Sequence, residues 1–369
     1  MPINDPAAPS QWRKPRALVQ VDSGPVFAPS AIEVTSNNYY AADQFHAIFP
    51  IASLPAAYGA QWWSERSAVR VDVQFGTVPA GGREDDAVYQ TFLRGRVDQV
   101  SLDLVAGLLT IDGRDGTADL IETKTQETFA NQTSSEVAET LAARHELTAA
   151  VTRTTTLVGQ YYQLEHDGTT LDELAKSTTE WDLLVYLAKH EGFDVFVEGA
   201  TLHFQPRTEP DADPYLVQWA WSPWTLNGTA LQMRRALTLA GDIEVSVKTW
   251  QAKTKEAVVR TVRATGTKST SSDLQRFVFI KPNMSQTEAL KFAQSQLQEI
   301  SKHERVINLE MPGDLLLTPR NIIELRGTET DFDQRYYVDE IIRSMSFDGE
   351  FRMTVRAKNH SPNSEAVVR

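Results

Sequence analysis

The sequence predicts a β-rich α+β protein made of two related small β-barrels, with an inserted α+β module and a further helical insertion. Three observations predict this class. Near-alternating apolar residues, typical of strands, fill the first and last thirds of the chain, and helical spacing occurs between them. A strand pattern of the first third returns near the C-terminus. At 369 residues, the chain is too long for one ordinary hydrophobic core.

The clearest strand pattern lies at residues 89–122. It predicts one strand, a reversal at Gly107 and a second strand that ends at Ile111, because apolar and β-branched residues nearly alternate on both sides of the glycine. The next five residues, Asp112 to Gly116, are rich in Asp and Gly and are predicted to form a polar turn.

Residues 322–355 resemble residues 69–111. Both stretches read as a strand ending in Gly, a loop, a Val-Asp strand, a reversal that contains Gly, and a last strand. Val97-Asp98 and Val338-Asp339 take the same place in the two stretches. Any two β-meanders can look alike, so the pattern alone leaves chance similarity open. A true repeat predicts two related barrels.

Changes of pattern along the chain predict its division into segments. They are an N-terminal arm (1–15), a first barrel (16–128), an α+β module with its linker (129–214), a second barrel (237–357) with a helical insertion (284–303), and a C-terminal tail (358–369). Capping boxes predict helix starts at Thr133, Thr170, Ser177 and Ser285. Residues 45–49 and 55–64 fit either a turn or a helix.

Composition argues against several classes of function. The net charge of −13 argues against a nucleic-acid-binding protein that works through a basic surface. It suits a surface past which a polyanion slides without adhering. The chain has no Cys, which excludes disulfides, thiolate nucleophiles and Cys-ligated metals. The N-terminal residues lack an apolar signal region and no long apolar run occurs, so we expect neither secretion nor a membrane anchor.

No catalytic, cofactor-binding or metal-binding residues are predicted. Three His-Glu dipeptides begin at His145, His190 and His303, but each lacks the second His that a zinc-protease helix needs four residues later. We expect these His residues near helix C-termini, where the helix dipole favours a positive charge. The sequence contains neither a G-x-S-x-G elbow nor a Walker loop, and no pair among its 49 acidic residues is singled out for glycoside hydrolysis.

Trp219 and Trp221 lie two residues apart in a predicted strand, which places both on one face. Aromatic residues in this arrangement are typical of a core or a subunit interface, and we favour that interpretation. A sugar-binding platform is the alternative.

Several motifs, in their order along the chain, resemble a known family. They are Phe92-Leu-Arg-Gly95, Val97-Asp-Gln-Val100, Ile111-Asp-Gly-Arg-Asp115, Asp119-Leu-Ile121, the segment Ser177 to Gly192, Leu325-Arg-Gly327 and Tyr336-Tyr-Val-Asp339. Together they resemble the baseplate or tail hub proteins of contractile-tailed phages. This is the late control D and Mu-like hub group, which is related to the N-terminal part of type VI secretion spike proteins. The resemblance covers most of the chain outside residues 23–68.

The resemblance implies a non-enzymatic homotrimer in which two tube-like barrels per subunit form a pseudo-sixfold ring. Such a ring joins the hexameric tail tube, or a tube-initiator protein, to a trimeric central spike. It contacts baseplate wedge proteins and surrounds a channel through which genomic DNA passes without specific binding. The implied location is the virion baseplate, after assembly in the host cytoplasm. We expect a separate spike protein, because no spike or lysozyme domain follows residue 369.

In this family the first barrel closes on a Gly-Arg-Asp turn followed by a Leu-Ile pair, and later strands complete it. The resemblance therefore implies that residues 215–236 complete the first barrel. The matching residues form the predicted structural motif: Gly113, Arg114, Asp115, Asp119 and Leu120. We expect Arg114 and Asp115 to hold the barrel against the helical module. Two alternatives to a hub stay open, a tail-associated cell-wall hydrolase and a carbohydrate-binding β module that uses the Trp219 face.

Overall fold

The computed structural model is a β-rich α+β protein, as the sequence predicts. The residues it describes are 2–5, 12–38, 40–79, 82–125, 129, 132–155, 157–158, 179–207, 212–221, 224–237, 243–251, 256–264, 274–281, 284–301, 304–347, 350–359 and 366–368. One fourteen-stranded sheet runs through this part of the chain, with smaller sheets of two, three and four strands beside it.

The strands fall into three groups along the chain. The first group is β1 (Trp12–Val21), β2 (Val26–Phe27), β3 (Ala31–Asn37), β4 (Gln44–Pro50), β5 (Arg70–Pro79), β6 (Val88–Asp103) and β7 (Leu108–Asp115). The second is β8 (Gln132–Thr133), β9 (Thr148–Val151), β10 (Leu157–Val158), β11 (Phe193–Glu198), β12 (Thr201–Pro206), β13 (Tyr215–Trp221), β14 (Trp224–Leu226) and β15 (Ala230–Arg235). The third is β16 (Ile243–Gln251), β17 (Glu256–Ala264), β18 (Gln275–Ile280), β19 (Arg305–Pro312), β20 (Ile322–Arg326), β21 (Arg335–Ser346), β22 (Phe351–Asn359) and β23 (Ala366–Val368).

The helices are short and lie between these strands. They are α1 (Ala60–Glu65), α2 (Thr117–Glu122), α3 (Ser134–Arg144), α4 (Glu180–Glu191) and α5 (Gln286–Ser301), with 3-10 turns at Ile51–Ser53, Ala56–Tyr58 and Glu84–Asp86. The predicted capping boxes at Thr133 and Ser285 are confirmed, because each side chain accepts the amide of the Glu three residues later. The start predicted at Ser177 is wrong, because Thr179 caps α4 together with Asp182. Thr170 lies outside the described residues.

The large sheet contains the same five-strand arrangement twice. The first copy has the strand order β3-β4-β7-β6-β5, and the second has the order β15-β19-β22-β21-β20. Every neighbouring pair in both copies is antiparallel, and the strands follow one another along the chain in the same sequence. Pro50 and Pro312 end β4 and β19 at equivalent positions. Five strands in a shared, non-sequential order exclude a chance likeness of two meanders, so the predicted internal repeat is confirmed.

The two copies form open sheets, and the expectation of two closed barrels is corrected accordingly. In the described residues β5 continues to β1, and β20 continues to β13, so that neither copy closes on itself. The copies are joined because β21 pairs with β22 along one side and divides its other side between β20 and β3. Phe75 of the first copy stacks on Phe351 of the second, with ring centroids 5.1 Å apart. The hydrophobic cores of the two copies therefore meet.

Residues 215–236 were expected to complete the first copy, and this expectation is wrong. β13 pairs in parallel with β20, and β15 pairs antiparallel with β19, so both strands belong to the second copy. Residues 45–49 were ambiguous from sequence and form β4, because the strand pairs on both sides, with β3 and β7.

Two insertions accompany the copies, one between them and one within the second. The α+β module follows the first copy, and its core is formed by α3, α4 and the three-stranded sheet β11-β12-β9. The second insertion lies between β15 and β19 and is larger than the predicted helix alone. In it, α5 packs on the buried face of the sheet β18-β16-β17, through Ala289, Ala293 and Leu297 against Val245 and Val247. These alternating valines form an apolar face of the sheet that has to be buried, and the helix covers it.

Candidate functional site

Gly113, Arg114 and Asp115 lie in strand β7 and not in the polar turn that their composition predicts. β7 continues to Asp115 because β4 pairs with it on one side and β6 on the other. A Cβ on Gly113 would lie 2.1 Å from the carbonyl oxygen of Arg96 and 2.5 Å from the Phe45 ring. The glycine is therefore present for close backbone approach and not for a reversal.

Two arginines of the β6–β7 hairpin bind three carboxylates. Arg96 contacts Asp98 at 3.1 Å (Nε–Oδ1), Asp119 at 2.6 Å (Nη1–Oδ1) and Glu122 at 2.5 Å (Nη2–Oε2). Arg114 contacts Asp98 at 2.5 Å (Nε–Oδ2) and Glu122 at 2.5 Å (Nη2–Oε1). Hydrogen bonds from the two arginines lower the pKa of Glu122. Because Asp119 and Glu122 belong to α2, the network connects the first copy to the start of the module.

Leu120 makes the second connection between the first copy and the module. It is completely buried and packs in the module core with residues of α4, such as Trp181 and Leu184. The backbone N–H of Glu180, the first residue of α4, donates to the carbonyl oxygen of Thr123 at 2.9 Å. These contacts lie where they can hold the first copy against the module. That role stays a prediction for the five motif residues.

A β-bulge occurs at the same place in both copies. In β6 the bulged residue is Asp98, directly after Val97, and in β21 it is Asp339, directly after Val338. Each aspartate is the extra residue of its strand, because the residues before and after it pair with two consecutive residues of the next strand, β7 or β22. The Val-Asp pairs that look alike in the sequence therefore occupy equivalent structural positions.

Each bulged aspartate binds a cation of the neighbouring strand. Arg114 in β7 and Lys358 in β22 occupy equivalent positions. Each directly follows the residue that pairs with the valine before the bulge. Lys358 Nζ lies 2.9 Å from Asp339 Oδ2, as Arg114 Nε lies 2.5 Å from Asp98 Oδ2. The repeat thus extends from strand order to register and to a side-chain ion pair.

Asp43 and Asp115 form a pair of desolvated carboxyl groups that sequence reasoning missed. Burial raises the pKa of Asp43 to about 6, against hydrogen bonds from Asn37. Burial, and then the charge of Asp43, raise the pKa of Asp115 well above its usual range. The Asp115 carboxyl accepts the N–H and the hydroxyl of Thr117, each at 3.1 Å. The equivalent position in the second copy is held by Asn359, which carries no charge.

Arg343 is a buried cation that alternation along β21 indicates in retrospect, because it shares a face with buried Ile341. Its Nε donates to the carbonyl oxygen of Asp314 at 3.0 Å, and its Nη2 donates to that of Leu317. Its guanidinium carbon lies 4.4 Å from the centre of the Phe92 ring. Burial lowers its pKa to about 10. Arg343 therefore connects a loop of the second copy to a strand of the first.

Replacing Asp115 with Asn is expected to reduce the loss of stability at high pH. The folded chain keeps Asp43 and Asp115 protonated to a higher pH than the unfolded chain does. The free energy of unfolding therefore falls as pH rises from about 4, through about 6 for Asp43 and through the raised pKa of Asp115. The Asn side chain keeps an acceptor for Thr117 and removes one titrating group. At pH 8 we expect the variant to be more stable than the wild type by on the order of 1 kcal/mol.

Urea unfolding at pH 5 and pH 8 measures this effect. Asp85, an exposed aspartate, offers the matched control, and Asp85→Asn is expected to leave the pH dependence unchanged. An Asp115→Asn variant that loses the same stability at both pH values would show that ionisation of this pair does not limit stability.

Trp219 and Trp221 lie in β13, near the end of the large sheet. Trp219 is half-buried and its backbone pairs with Leu226 of β14. The Trp219 carbonyl oxygen approaches Gly327 so closely that a Cβ there would lie 2.0 Å away. The side chain of Trp221 is outside the described residues. A subunit interface on this strand stays a prediction.

The His-Glu dipeptides have the positions expected from sequence, where they are described. His145 caps the C-terminus of α3, and its Nε2 lies 2.5 Å from the buried carboxylate of Glu180. His190 lies in the last turn of α4. His303 is outside the described residues. The described residues contain no cluster of His, Asp and Glu arranged to hold a metal ion. Among the described helices, none has the length and apolar content that a membrane crossing requires.

A cleft of about 590 Å³ lies where the module, α5 and the second copy meet. Ion pairs line it. Arg207 of the module lies 3.4 Å from Asp194 (Nε–Oδ1) and 3.7 Å from Glu299 of α5 (Nη1–Oε2). Burial raises the pKa of the Tyr40 hydroxyl at this cleft. The Arg207–Glu299 ion pair crosses the cleft and therefore connects the module to α5 of the second insertion.

A family model described as the Alg8 N-terminal domain matches residues 87–346, and the chain therefore belongs to this family. The match begins just before β6 and ends at the last residue of β21, so its limits do not follow the two copies. The family's name specifies no activity. No curated protein matches the chain in sequence.

Solved structures of tail proteins share the fold over almost the whole chain. The tail protein from Neisseria meningitidis MC58 has a TM-score of 0.69 at 14% identity, over 94% of this chain and 97% of that one. The 43 kDa tail protein of prophage MuSo2 from Shewanella oneidensis has a TM-score of 0.60 at 16% identity, over 93% and 96%. The PdpA-VgrG complex of Francisella has a TM-score of 0.56 at 10% identity, over 96% of this chain and 59% of that one.

The chain therefore has the fold of phage tail proteins. This finding confirms, at the level of fold, the resemblance that the sequence motifs indicate. At these levels of sequence identity, the similarity of fold assigns no role to individual residues.

Proposed function

We propose that the chain is a structural hub of a phage tail baseplate, or of a related contractile injection machine. In this proposal it forms a homotrimeric ring around a channel, joins a hexameric tail tube or tube-initiator protein to a trimeric central spike, and contacts baseplate wedge proteins. Each of the two copies serves as one tube unit of the ring. The likeness to tail proteins and to a PdpA-VgrG complex supports this class of assembly.

The duplication is the observation that carries the proposal. Three chains with two equivalent copies each provide six similar units around one axis, while the two insertions recur only three times. A ring of this kind presents sixfold repetition to one neighbour and threefold repetition to another. The shared strand order, bulge and ion pair make the copies alike enough to serve as equivalent units.

The charge of the chain supports a channel for DNA. Three copies of a chain with a net charge of −13 give a strongly acidic assembly. Phosphate backbones are repelled by such a surface and do not bind it, because binding depends on clustered Lys and Arg. DNA then passes without a specific site.

The small size of the cavity beside the acidic pair supports a non-enzymatic role. Acid–base hydrolases also use two carboxyl groups, one of which has a raised pKa and stays protonated as the general acid while the other is ionised. The cavity that Asp43 and Asp115 line has a volume of only about 60 Å³. Ligand pockets commonly measure roughly 300 Å³ or more, so a sugar ring or a peptide does not fit. A clear zone on a peptidoglycan zymogram that Asp115→Asn abolishes would restore the hydrolase alternative.

Oligomeric state tests the proposal. Light scattering on the purified full chain is expected to give three times the mass of one chain, and negative-stain electron microscopy is expected to show six similar lobes around a hole. A protein that stays monomeric at high concentration, or a ring with a number of lobes other than six, would overturn the hub.

A further inference from the structure

The hairpins β6–β7 and β21–β22 are equivalent in the two copies and turn at the same edge of the large sheet. Between them lie β3 and β4, and every step of the order β21-β3-β4-β7-β6 is antiparallel. β6 and β21 therefore run in the same direction. One continuous register row connects Ser346, Ala31, Ile48, Thr110 and Ser101, just below the two turns. At about 4.8 Å per strand, the hairpins are roughly 20 Å apart.

Both hairpin tips present large apolar side chains to solvent. In the first copy Leu104 is 72% exposed and Val105 is fully exposed. In the second copy Phe347 is 91% exposed. Leu316, which follows the parallel-running strand β19 at the same edge, is also exposed. Scattered apolar residues are ordinary on a protein surface, but their recurrence at equivalent tips is not. We call this surface, Leu104, Val105, Leu316 and Phe347, the hairpin edge.

In the described residues of both tips, backbone hydrogen bonds hold the chain beside the exposed side chains. Asp103 Oδ1 accepts the N–H groups of Val105 and Ala106, at 3.0 and 2.8 Å. The Gly107 carbonyl oxygen accepts the N–H of Ile51 at 2.8 Å. In the second copy the N–H of Phe347 donates to the carbonyl oxygen of Ser30 at 2.8 Å. Tips that are fixed in this way lose little conformational entropy when a partner covers them.

We propose that the hairpin edge is the surface on which a sixfold ring of another tail protein docks, with one apolar site of that ring on each tip. The inference rests on the proposed trimer, in which the two tips per chain become six around the axis. A sixfold partner meets all six tips with one repeated site. A threefold partner contacts only one tip of each chain. The apolar residues of the other tip would then be unexplained. The acidic charge of this chain favours a partner whose apolar site is bordered by basic residues.

Charged substitutions at the tips test the inference. The variants are Val105→Asp, Phe347→Asp and the double variant, and the probe is the purified tail-tube protein encoded in the same tail gene cluster. Leu237 is 76% exposed and follows β15, which runs antiparallel to β19 and therefore ends at the opposite edge. Leu237→Asp is the matched control. Light scattering first establishes the oligomeric state of each protein, and sedimentation with tube rings then measures binding.

We expect all four variants to stay trimeric. Each single tip variant should bind tube rings at least tenfold more weakly, the double variant should not bind, and the control should bind as the wild type does. A monomeric wild type would overturn the hub itself. A trimeric wild type that does not bind the rings, or tip variants that bind normally, would overturn only the docking surface. Loss with one tip alone would indicate a threefold partner, and dissociation of the tip variants would indicate a contact between subunits. Either result contradicts the inference.

Discussion

Replacing Gly113 with Ala is expected to lower the free energy of unfolding by about 3 kcal/mol or more. The new Cβ would lie 2.1 Å from the carbonyl oxygen of Arg96 and 2.5 Å from the Phe45 ring, so β7 has to move away from β6 on one side or from β4 on the other. Neither backbone shift is local, because both neighbouring strands are paired with β7 along its length. Urea unfolding followed by circular dichroism measures the loss.

Gly107 provides the matched control in the same hairpin. A Cβ on Gly107 meets nothing within 4 Å, but its φ of +68° is unfavourable for Ala, and we expect Gly107→Ala to cost about 1 kcal/mol. The second copy offers a further comparison, because Ala357 occupies the position equivalent to Gly113 and Ile307 replaces Phe45. Equal losses for Gly113→Ala and Gly107→Ala would show that close approach of the strands is not the reason for Gly113.

Strand pairing explains why the polar turn predicted at residues 112–116 was wrong. Asp and Gly favour turns through local conformational preferences, and residues 112–116 contain little else. The strand conformation of residues 112–115 is imposed by pairing on both sides, with β6 of the same hairpin and with β4, which lies much earlier in the chain. Gly95, opposite Asp115, shows the same close approach, since a Cβ there would lie 1.9 Å from the carbonyl oxygen of Arg114. Two glycines on facing strands therefore indicate close contact as well as a turn.

Features with a regular period or a fixed spacing were predictable from the sequence. The strand pattern at the start of residues 69–111 predicted β5, and two capping boxes predicted the starts of α3 and α5. The Val-Asp pairs predicted a repeat, although β15, the β4–β7 pairing and the bulges became visible only in the fold. The strand with which β13 pairs was not predictable, because the sequence of β13 is equally compatible with either copy. Its parallel pairing with β20 also joins residues about a hundred positions apart.

Replacing Arg343 with Ala is expected to lower the free energy of unfolding by about 3–5 kcal/mol. The substitution leaves a cavity under the Phe92 ring and removes the donors to the carbonyl oxygens of Asp314 and Leu317. Arg343→Met refills most of the volume but leaves both carbonyl groups without these donors, so a loss of about 1–3 kcal/mol should remain. Arg352, an exposed arginine of the neighbouring strand, is the control, and Arg352→Ala should change stability by less than about 0.5 kcal/mol.

The position of Arg343 also predicts how the variant unfolds. Because the side chain contacts Phe92 in the first copy and the loop at Asp314 in the second, its removal weakens the contact between copies more than the core of either. Differential scanning calorimetry of Arg343→Ala is therefore expected to show two separate transitions where the wild type shows the copies unfolding together. A single transition shifted to lower temperature would mean that the strand pairing of β21 with β3 suffices to couple the copies. A full recovery of stability in Arg343→Met would mean that Arg343 acts through packing alone and that its hydrogen bonds to the loop do not stabilise the junction.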